Sequence, residues 1–306
     1  MVQARRNTAF LTALAWAWAG LGAPRRAVAA GPAAPTASAP EVSVRIPTLP
    51  GLPEQFTTSD GWTLSAQFHP AKPGFLTLML IPGVGQDKNV WSDLARVLAR
   101  AGYGVLAVDL RGQGGSTLGP GGKTMSWRQF SSDRDGNDFM DMGRDVDAAA
   151  VFLSSAGVAP SSIGLIGNGL GASLAARYAA IHPEIPLVAL LSPTLNGENV
   201  PIISALRAYG SRPILIAYSM SDRGVANAAP LIFAVAKLSA GAADATLITT
   251  RLPADFLFDR SVSERILDWL ETPASPATAV SASSGAATGQ IDVSSPAAAS
   301  PPAPSL

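Results

Sequence analysis

The stretch that decides the fold is Ile163-Gly164-Leu165-Ile166-Gly167-Asn168-Gly169-Leu170-Gly171-Ala172-Ser173-Leu174. Its first four residues form a short apolar run, typical of a parallel strand buried on both faces. After the glycines, apolar residues recur at helical spacing and predict a helix: Leu170, Leu174, Tyr178 and Ile181. The turn between them follows the pattern small-x-nucleophile-x-small, with Gly167 and Gly171 as the small flanks. Gly169 holds the nucleophile's place, so the turn lacks a side-chain hydroxyl.

Two further motifs precede this turn. The first is Ile81-Pro82-Gly83-Val84-Gly85, directly after an apolar run. The second runs from Gly102 to Ser116 and ends in Asp-Leu-Arg-Gly-Gln-Gly-Gly-Ser. With the glycine turn, the order and spacing of these motifs resemble the α/β-hydrolase superfamily, and within it the dienelactone-hydrolase-like and serine-peptidase-like members. The resemblance extends from about Phe56 to Leu270. It implies an oxyanion loop at the first motif, with Pro82 where many members have histidine, and the D-x-R-G-x-G-x-S turn at the second.

The periodicity of the chain predicts the fold class as well. Apolar runs alternate with amphipathic segments, the pattern of a mostly parallel sheet with helices on both faces. With the resemblance, this predicts an α/β-hydrolase fold with a central sheet of about eight strands. Asp60-Gly61 marks an opening hairpin. The last helix is expected to begin with a capping box at Ser261-Val262-Ser263-Glu264. No insertion before Ile214 is long enough for a large cap domain, although residues 112–138 are expected to form a mobile flap.

Composition divides the 306 residues into four parts. Residues 1–29 are a predicted signal peptide, since two arginines precede a short apolar run and an Ala-x-Ala cleavage signal. Residues 30–40 are a Pro/Ala-rich linker, residues 41–271 are the folded domain, and residues 272–306 are an Ala/Ser/Pro-rich tail expected to be disordered. We therefore expect export to the periplasm or the medium, with no membrane span after signal removal. The alternative is that the N-terminal segment is an uncleaved anchor. Whether the Sec or the twin-arginine route is used stays open.

Charge and residue counts exclude several function classes. Lysine plus arginine equals aspartate plus glutamate at 22 each, so no overall field favours nucleic acid. The absence of cysteine excludes disulfides, thiol catalysis and thiolate zinc sites, and two histidines exclude a His-rich metal site. Residues 133–138 carry alternate carboxylates, but the sixth and twelfth positions do not fit an EF-hand. An acidic helix N-terminus is the better interpretation. We expect no cofactor and no metal.

The resemblance implies a Ser-Asp-His triad beyond the carboxyl ends of the strands. Its nucleophile position is Gly169, and its acid position matches Asp222, whose other interpretation is a loop carboxylate paired with Arg223. The base should lie within residues 252–259, which contain no histidine. The two histidines of the chain, His69 and His182, are predicted about 20 Å from the mouth, at 3.3 Å per strand residue or 1.5 Å per helical residue. Ser173 lies one helical turn below the mouth. The catalytic set is therefore not intact.

Backbone donors survive this loss. The N–H groups of Gly83, Val84 and Leu170 are expected to point at one spot, as an oxyanion hole does. Four side chains are predicted to line the same pocket: Asn168, Ser192, Ser219 and Asp255. For Asn168, a bond that satisfies the turn is favoured over a bond into the pocket. Such a pocket is expected to hold a small carboxylate, an ester or a solvent anion without turnover.

The sequence therefore predicts an exported α/β-hydrolase-fold protein that has lost serine-hydrolase activity and acts as a binding or interaction module. The alternative is an ester or lactone hydrolase with a non-standard catalytic set, in which a group such as Asp255 or Asp259 serves as base. A third interpretation is an interaction protein that works through its Ala/Ser/Pro-rich tail. The ligand, any protein partner and the oligomeric state cannot be read from the sequence.

Overall fold

The structure, a computed structural model, describes residues 48–242, 244–253 and 259–272. The predicted signal peptide, the linker and the tail beyond residue 272 lie outside the described residues, as does Asp255.

The centre of the molecule is one eight-stranded sheet in the order β1-β2-β4-β3-β5-β6-β7-β8. β1 pairs antiparallel with β2, and β2 antiparallel with β4, whereas all the other pairs are parallel. The strands are β1 Leu52–Thr57, β2 Thr63–His69, β3 Thr77–Ile81, β4 Gly104–Val108, β5 Ile163–Asn168, β6 Val188–Leu191, β7 Ile214–Ser219 and β8 Ala245–Thr250. This arrangement confirms the predicted α/β-hydrolase fold.

Side-chain alternation along the strands divides the core into two layers. In β3, Leu78 and Leu80 pack into one hydrophobic cluster, while Met79 and Ile81 pack into the other. Successive strand residues point to opposite faces, so a strand covered on both faces must be apolar throughout. All five residues of β3 are buried.

Helices cover both faces of the sheet. Residues of α1 and α7 join one cluster, and residues of α3, α4, α5 and α6 join the other. The helices are α1 Ser92–Ala101, α2 Asp138–Asp141, α3 Gly143–Ser155, α4 Leu170–Ile181, α5 Ile203–Ala208, α6 Arg223–Ala240 and α7 Arg260–Leu270. None of these helices, within the part of the chain described, combines the length and apolarity needed to cross a bilayer.

The start of α7 differs from the predicted capping box. Asp259 is the N-cap residue, and its side chain accepts a hydrogen bond from the Ser261 backbone N–H at 2.7 Å. The helix thus begins before Ser261, because an aspartate two residues upstream offers an equally good cap. The predicted Ser261 cap was wrong.

Residues 112–138 lie against the sheet rather than forming a separate domain. They contain short 3₁₀ turns and a hairpin that pairs Ser132–Asp133 with Gly136–Asn137. One backbone bond attaches the segment to β2, from Thr63 N–H to Leu118 O at 3.0 Å, and another within the segment runs from Trp127 N–H to Gly112 O at 3.1 Å. Within residues 48–214, which are described without a gap, no large cap domain is inserted.

Candidate functional site

The turn between β5 and α4 carries the geometry of an elbow. Gly169 has φ +54° and ψ −113°, a conformation that L residues rarely adopt. A Cβ atom at Gly167 would lie 2.1 Å from Gly171 O, and one at Gly171 would lie 2.2 Å from Ile81 O. Both flanking glycines are therefore required by the close approach of the backbone. The sharp turn between strand and helix depends on them.

Gly169 itself has room for a side chain. A Cβ atom there would meet only Gly83 Cα, at 3.9 Å, and the residue is half-buried rather than sealed in the core. The site thus has room for a nucleophilic side chain, but glycine supplies none. Ser173 does not replace it, because Ser173 is fully buried and its Oγ has no partner among the described residues.

The loop after β3 supplies fewer donors than the sequence predicted. The Gly83 N–H donates to Gln86 Oε1 at 2.9 Å, and Asn168 Nδ2 donates to the same oxygen at 2.8 Å. Gly83 is therefore not free to bind a ligand, which corrects the expectation of three converging donors. The N–H groups of Val84 and Leu170 donate to no atom of the described residues. Two of the three predicted backbone donors remain unused.

The side chains of Asn168 and Gln86 together hold the loop after β3. Asn168 is 7% exposed and holds the loop through Gln86 rather than pointing a free amide into the pocket. This agrees with the interpretation that Asn168 satisfies the turn, although it does so through another side chain. Gln86 had no role in the sequence analysis. Its partner lies 82 residues away, and no local pattern indicates the pairing.

Asp222 is the N-cap of α6. Its Oδ1 accepts hydrogen bonds from Gly224 N–H at 3.0 Å and from Val225 N–H at 3.2 Å. The expected pairing with Arg223 is absent from the described residues. An N-cap role is a sufficient structural reason for a carboxylate here.

The two serines predicted to line the pocket have different environments. Ser219 is fully buried, and its hydroxyl donates to Leu252 O and accepts from Ser221 N–H at 3.1 Å. It is therefore committed to the loop after β7 and does not serve the pocket. Ser192 directly follows β6 with φ +44°, and its backbone N–H donates to Ala217 O at 2.8 Å.

Neither histidine is placed to act as the base. His69 is the last residue of β2 and pairs with Val105, near the beginning of β4 and thus at the opposite end of the parallel strands from the elbow. His182 is the C-cap of α4, stacks on Tyr178 and contacts Glu184 Oε1 through Nδ1 at 2.9 Å. Asp259 is occupied as the cap of α7.

The acidic segment at residues 133–138 is a small hairpin followed by a helix start. Asn137 caps α2 by accepting from Phe139 and Met140, and Asp138 accepts from Ser131 N–H at 2.8 Å. The carboxylate next to α2 thus serves local structure. In the parts of the chain described, no group of three or more His, Asp or Glu side chains is arranged to hold a metal ion.

The D-x-R-G-x-G-x-S turn holds neighbouring segments of the chain together through hydrogen bonds. Asp109 is fully buried, and its carboxylate accepts from the backbone and ammonium nitrogens of Lys88, both at 2.6 Å, and from Gly115 N–H at 2.8 Å. Ser116 Oγ donates to Asp109 O at 2.7 Å and accepts from Ser65 N–H at 2.8 Å. The motif joins the loop after β3, the turn after β4 and the opening hairpin.

Arg111 of the same motif lies in a buried ion-pair network that the sequence did not reveal. Its Nε donates to Asp145 Oδ1 at 2.7 Å, and its Nη1 donates to Asp60 Oδ2 at 2.8 Å. Burial raises the pKa of Asp145 to about 6, while the charge and hydrogen bonds of Arg111 oppose that rise. The network connects three elements and stands apart from the elbow residues.

The comparisons with known proteins agree with this architecture. A family profile described as the alpha/beta hydrolase fold matches residues 77–214. A search of curated protein sequences finds no match. Among solved structures, the chain is similar to the Pyrococcus furiosus esterase Pf2001, with 18% identity, a TM-score of 0.56, and coverage of 72% of this chain and 90% of the other.

Two further structures show the same likeness. The α/β hydrolase GrgF from Penicillium sp. sh18 has 16% identity, a TM-score of 0.57, and coverage of 72% of this chain and 98% of the other. The esterase domain of a Rhodothermus marinus protein has 17% identity, a TM-score of 0.51, and coverage of 72% and 97%. At these identities the likeness shows the fold, and the resemblance to dienelactone hydrolases stays a prediction. Sheet order, family profile and solved structures together show that the chain has the α/β-hydrolase fold.

Proposed function

We propose that this is an exported α/β-hydrolase-fold protein without serine-hydrolase activity, which binds a small carboxylate or ester at the turn around Gly169. The observation that carries the proposal is the elbow geometry of Gly169, kept without any side chain at its apex. Losing a triad member costs an enzyme of this type up to about 10⁶-fold in rate. Binding through the N–H groups of Val84 and Leu170 needs no nucleophile.

The elbow is tested by Gly169→Cys, which adds one thiol to a chain that has no cysteine. A thiol at a helix N-terminus has a lowered pKa, below about 8.5, so iodoacetamide should alkylate it rapidly at pH 7. Gly157→Cys is the matched control, since Gly157 also has positive φ and open space but follows the C-terminus of α3. Its thiol should react more slowly and titrate at or above pH 8.5.

The same pair of variants tests binding. Butyrate as the probe should slow alkylation of Gly169→Cys and leave Gly157→Cys unchanged. The natural protein should neither hydrolyse p-nitrophenyl butyrate nor react with a fluorophosphonate. Equal reactivity and pKa of the two thiols would refute the elbow. Insensitivity of both to butyrate would refute the carboxylate site.

The rival candidate is a carboxylic ester hydrolase with a non-standard catalytic set, favoured by the likeness of the fold to two solved esterase structures. It requires a side-chain base, and the capping bonds of Asp222 and Asp259 make both residues poor candidates. Turnover that survives repurification and is reduced more than about tenfold by Asp222→Ala would replace our proposal with this one. Loss of the cap alone would change stability by about 1 kcal/mol and leave the rate unchanged.

Export rests on the sequence pattern of residues 1–29. The mature protein should begin at Ala30, because the predicted cleavage follows the Ala27-Val28-Ala29 signal. N-terminal sequencing of the protein from the periplasm or medium checks this. A mature chain that still begins at Met1 would contradict cleavage.

A further inference from the structure

A groove of about 330 Å³ lies between α3, α4 and α5, on the helix layer that contains the elbow helix α4. Apolar side chains and stems form most of its wall; among them are Met140, Leu174, Tyr178, Ile181, Ala205 and Ala208. The groove is open to solvent and lies away from Gly169, Val84 and the loop after β3. It is thus separate from the site of the proposed function, and the following inference does not depend on that function.

A large apolar side chain stands at the rim of this groove. Ile181, in the last position of α4, is 74% exposed. Val151 on α3, one turn beyond the groove residue Asp147, is 68% exposed. The same surface thus carries a protruding apolar side chain, Ile181, and an apolar groove beside it. Contiguous exposed apolar surface of this kind marks interaction sites.

Two opposite charges line the groove, and the acidic one, Asp147, also interacts electrostatically with His182 and Arg144. Asp147 on α3 and Arg177 on α4 both line it, and neither makes an ion pair or a hydrogen bond within the described residues. A two-fold axis places each residue of one copy opposite a different residue of the other. Such a surface therefore complements itself, with Arg177 of each copy meeting Asp147 of the second copy.

The charges favour a second copy over the tail of this chain as the occupant. Residues 273–306 contain a single charged side chain, Asp292. A docked tail would complement Arg177 but would supply no positive side chain for Asp147. A second copy complements both charges and also supplies an isoleucine for the apolar groove.

We propose that the α3–α4–α5 groove is the interface of a symmetric homodimer, in which Ile181 of each copy enters the groove of the other and Arg177 pairs with Asp147 of the second copy. Both charges lie beside apolar walls, so the pairs become desolvated when the groove closes. Desolvated interfacial charge pairs contribute strongly to affinity and specificity.

The test is the oligomeric state of the purified full-length chain, measured by sedimentation velocity from about 1 to 100 μM, a range that covers micromolar dimers. Arg177→Asp alone and Asp147→Arg alone place like charges opposite each other twice per dimer. Each should raise the dimer dissociation constant about a hundredfold or more. The double variant exchanges the two charges and should restore the dimer. A natural chain that is monomeric throughout, or a double variant as weak as the single variants, would overturn the proposal.

Ile181→Asp tests whether Ile181 enters the groove of the second copy, and it should abolish the dimer. Leu238→Asp is its control, because Leu238 is 88% exposed on α6 and does not line the groove. Asp292→Ala should leave the dissociation constant unchanged, whereas a change above about tenfold would favour the tail as occupant and refute the second copy. Circular dichroism shows whether each variant is folded. Restoration of the dimer by the double charge exchange distinguishes loss of the charge pair from misfolding of a single variant.

Discussion

Replacing Arg111 with methionine is expected to lower the free energy of unfolding by about 3–5 kcal/mol, the range for breaking a buried ion pair by removing one partner. Arg111 is 3% exposed, and Asp145, its partner at 2.7 Å, is 1% exposed. Without the guanidinium, the buried Asp145 carboxyl must either carry an unpaired charge or bind a proton, and both cost stability at pH 7. Chemical denaturation of the natural protein and the variant at pH 7 measures the difference.

The deficit of Arg111→Met should depend on pH. Burial raises the pKa of Asp145 to about 6 in the natural protein, above its ordinary value of 3.8. A carboxyl with a raised folded-state pKa contributes its stability fully below about pH 4 and loses it as the pH rises through the folded-state pKa. In the variant only the backbone N–H of residue 111, which donates to Asp145 Oδ2 at 2.8 Å, still opposes the effect of burial, so this loss continues to higher pH. The deficit should therefore be larger at pH 8 than at pH 5.

Arg144→Met is the matched control for this experiment. Arg144 also approaches Asp60, at 3.3 Å, but its side chain is 49% exposed. Exposed ion pairs contribute about 0–1 kcal/mol, so this variant should remain close to the natural protein at every pH. Equal effects of the two substitutions, or a deficit of Arg111→Met that shrinks as the pH rises, would contradict a buried network.

Gly171→Ala is expected to destabilise the protein by about 3 kcal/mol or more, at or beyond the upper end of the range for overpacked sites. Helix propensity alone predicts the opposite sign, since alanine inside a helix is favoured over glycine by about 1 kcal/mol. The added Cβ would lie 2.2 Å from Ile81 O and 2.6 Å from Pro82 O. These are backbone atoms, so α4 would have to move away from the end of β3.

Gly143→Ala is the control for this effect. Gly143 begins α3, and an added Cβ there meets no atom within 4 Å. This substitution should be neutral or stabilising by up to about 1 kcal/mol, because only propensity acts. Thermal and urea unfolding compare the two variants. A stabilised Gly171→Ala would show that the elbow is not packed against β3 as described.

Much of the fold was determined by the sequence, because the signals are local. The apolar run at Ile163–Ile166 and the spacing of Leu170 and Leu174 predicted β5 and α4 with nearly the observed bounds. A strand that is buried on both faces must be apolar throughout, and a continuous apolar run can be recognised directly in the sequence. The missing hydroxyl at Gly169 is equally a fact of the sequence. Local rules failed where two caps competed, as at Asp259 and Ser261.

Only the tertiary structure decided how the glycine-rich turns are held and which backbone donors remain unused. The bonds from Gly83 and Asn168 to Gln86 join residues up to 82 positions apart, and Arg111 reaches Asp145 across 34 positions. Hydrogen bonds depend on distances of about 3 Å in space, which sequence spacing does not encode once the chain has turned back on itself. The sequence thus determined the fold and the empty nucleophile position, while tertiary packing decided that Gly83 is occupied and that Asp222 is a cap.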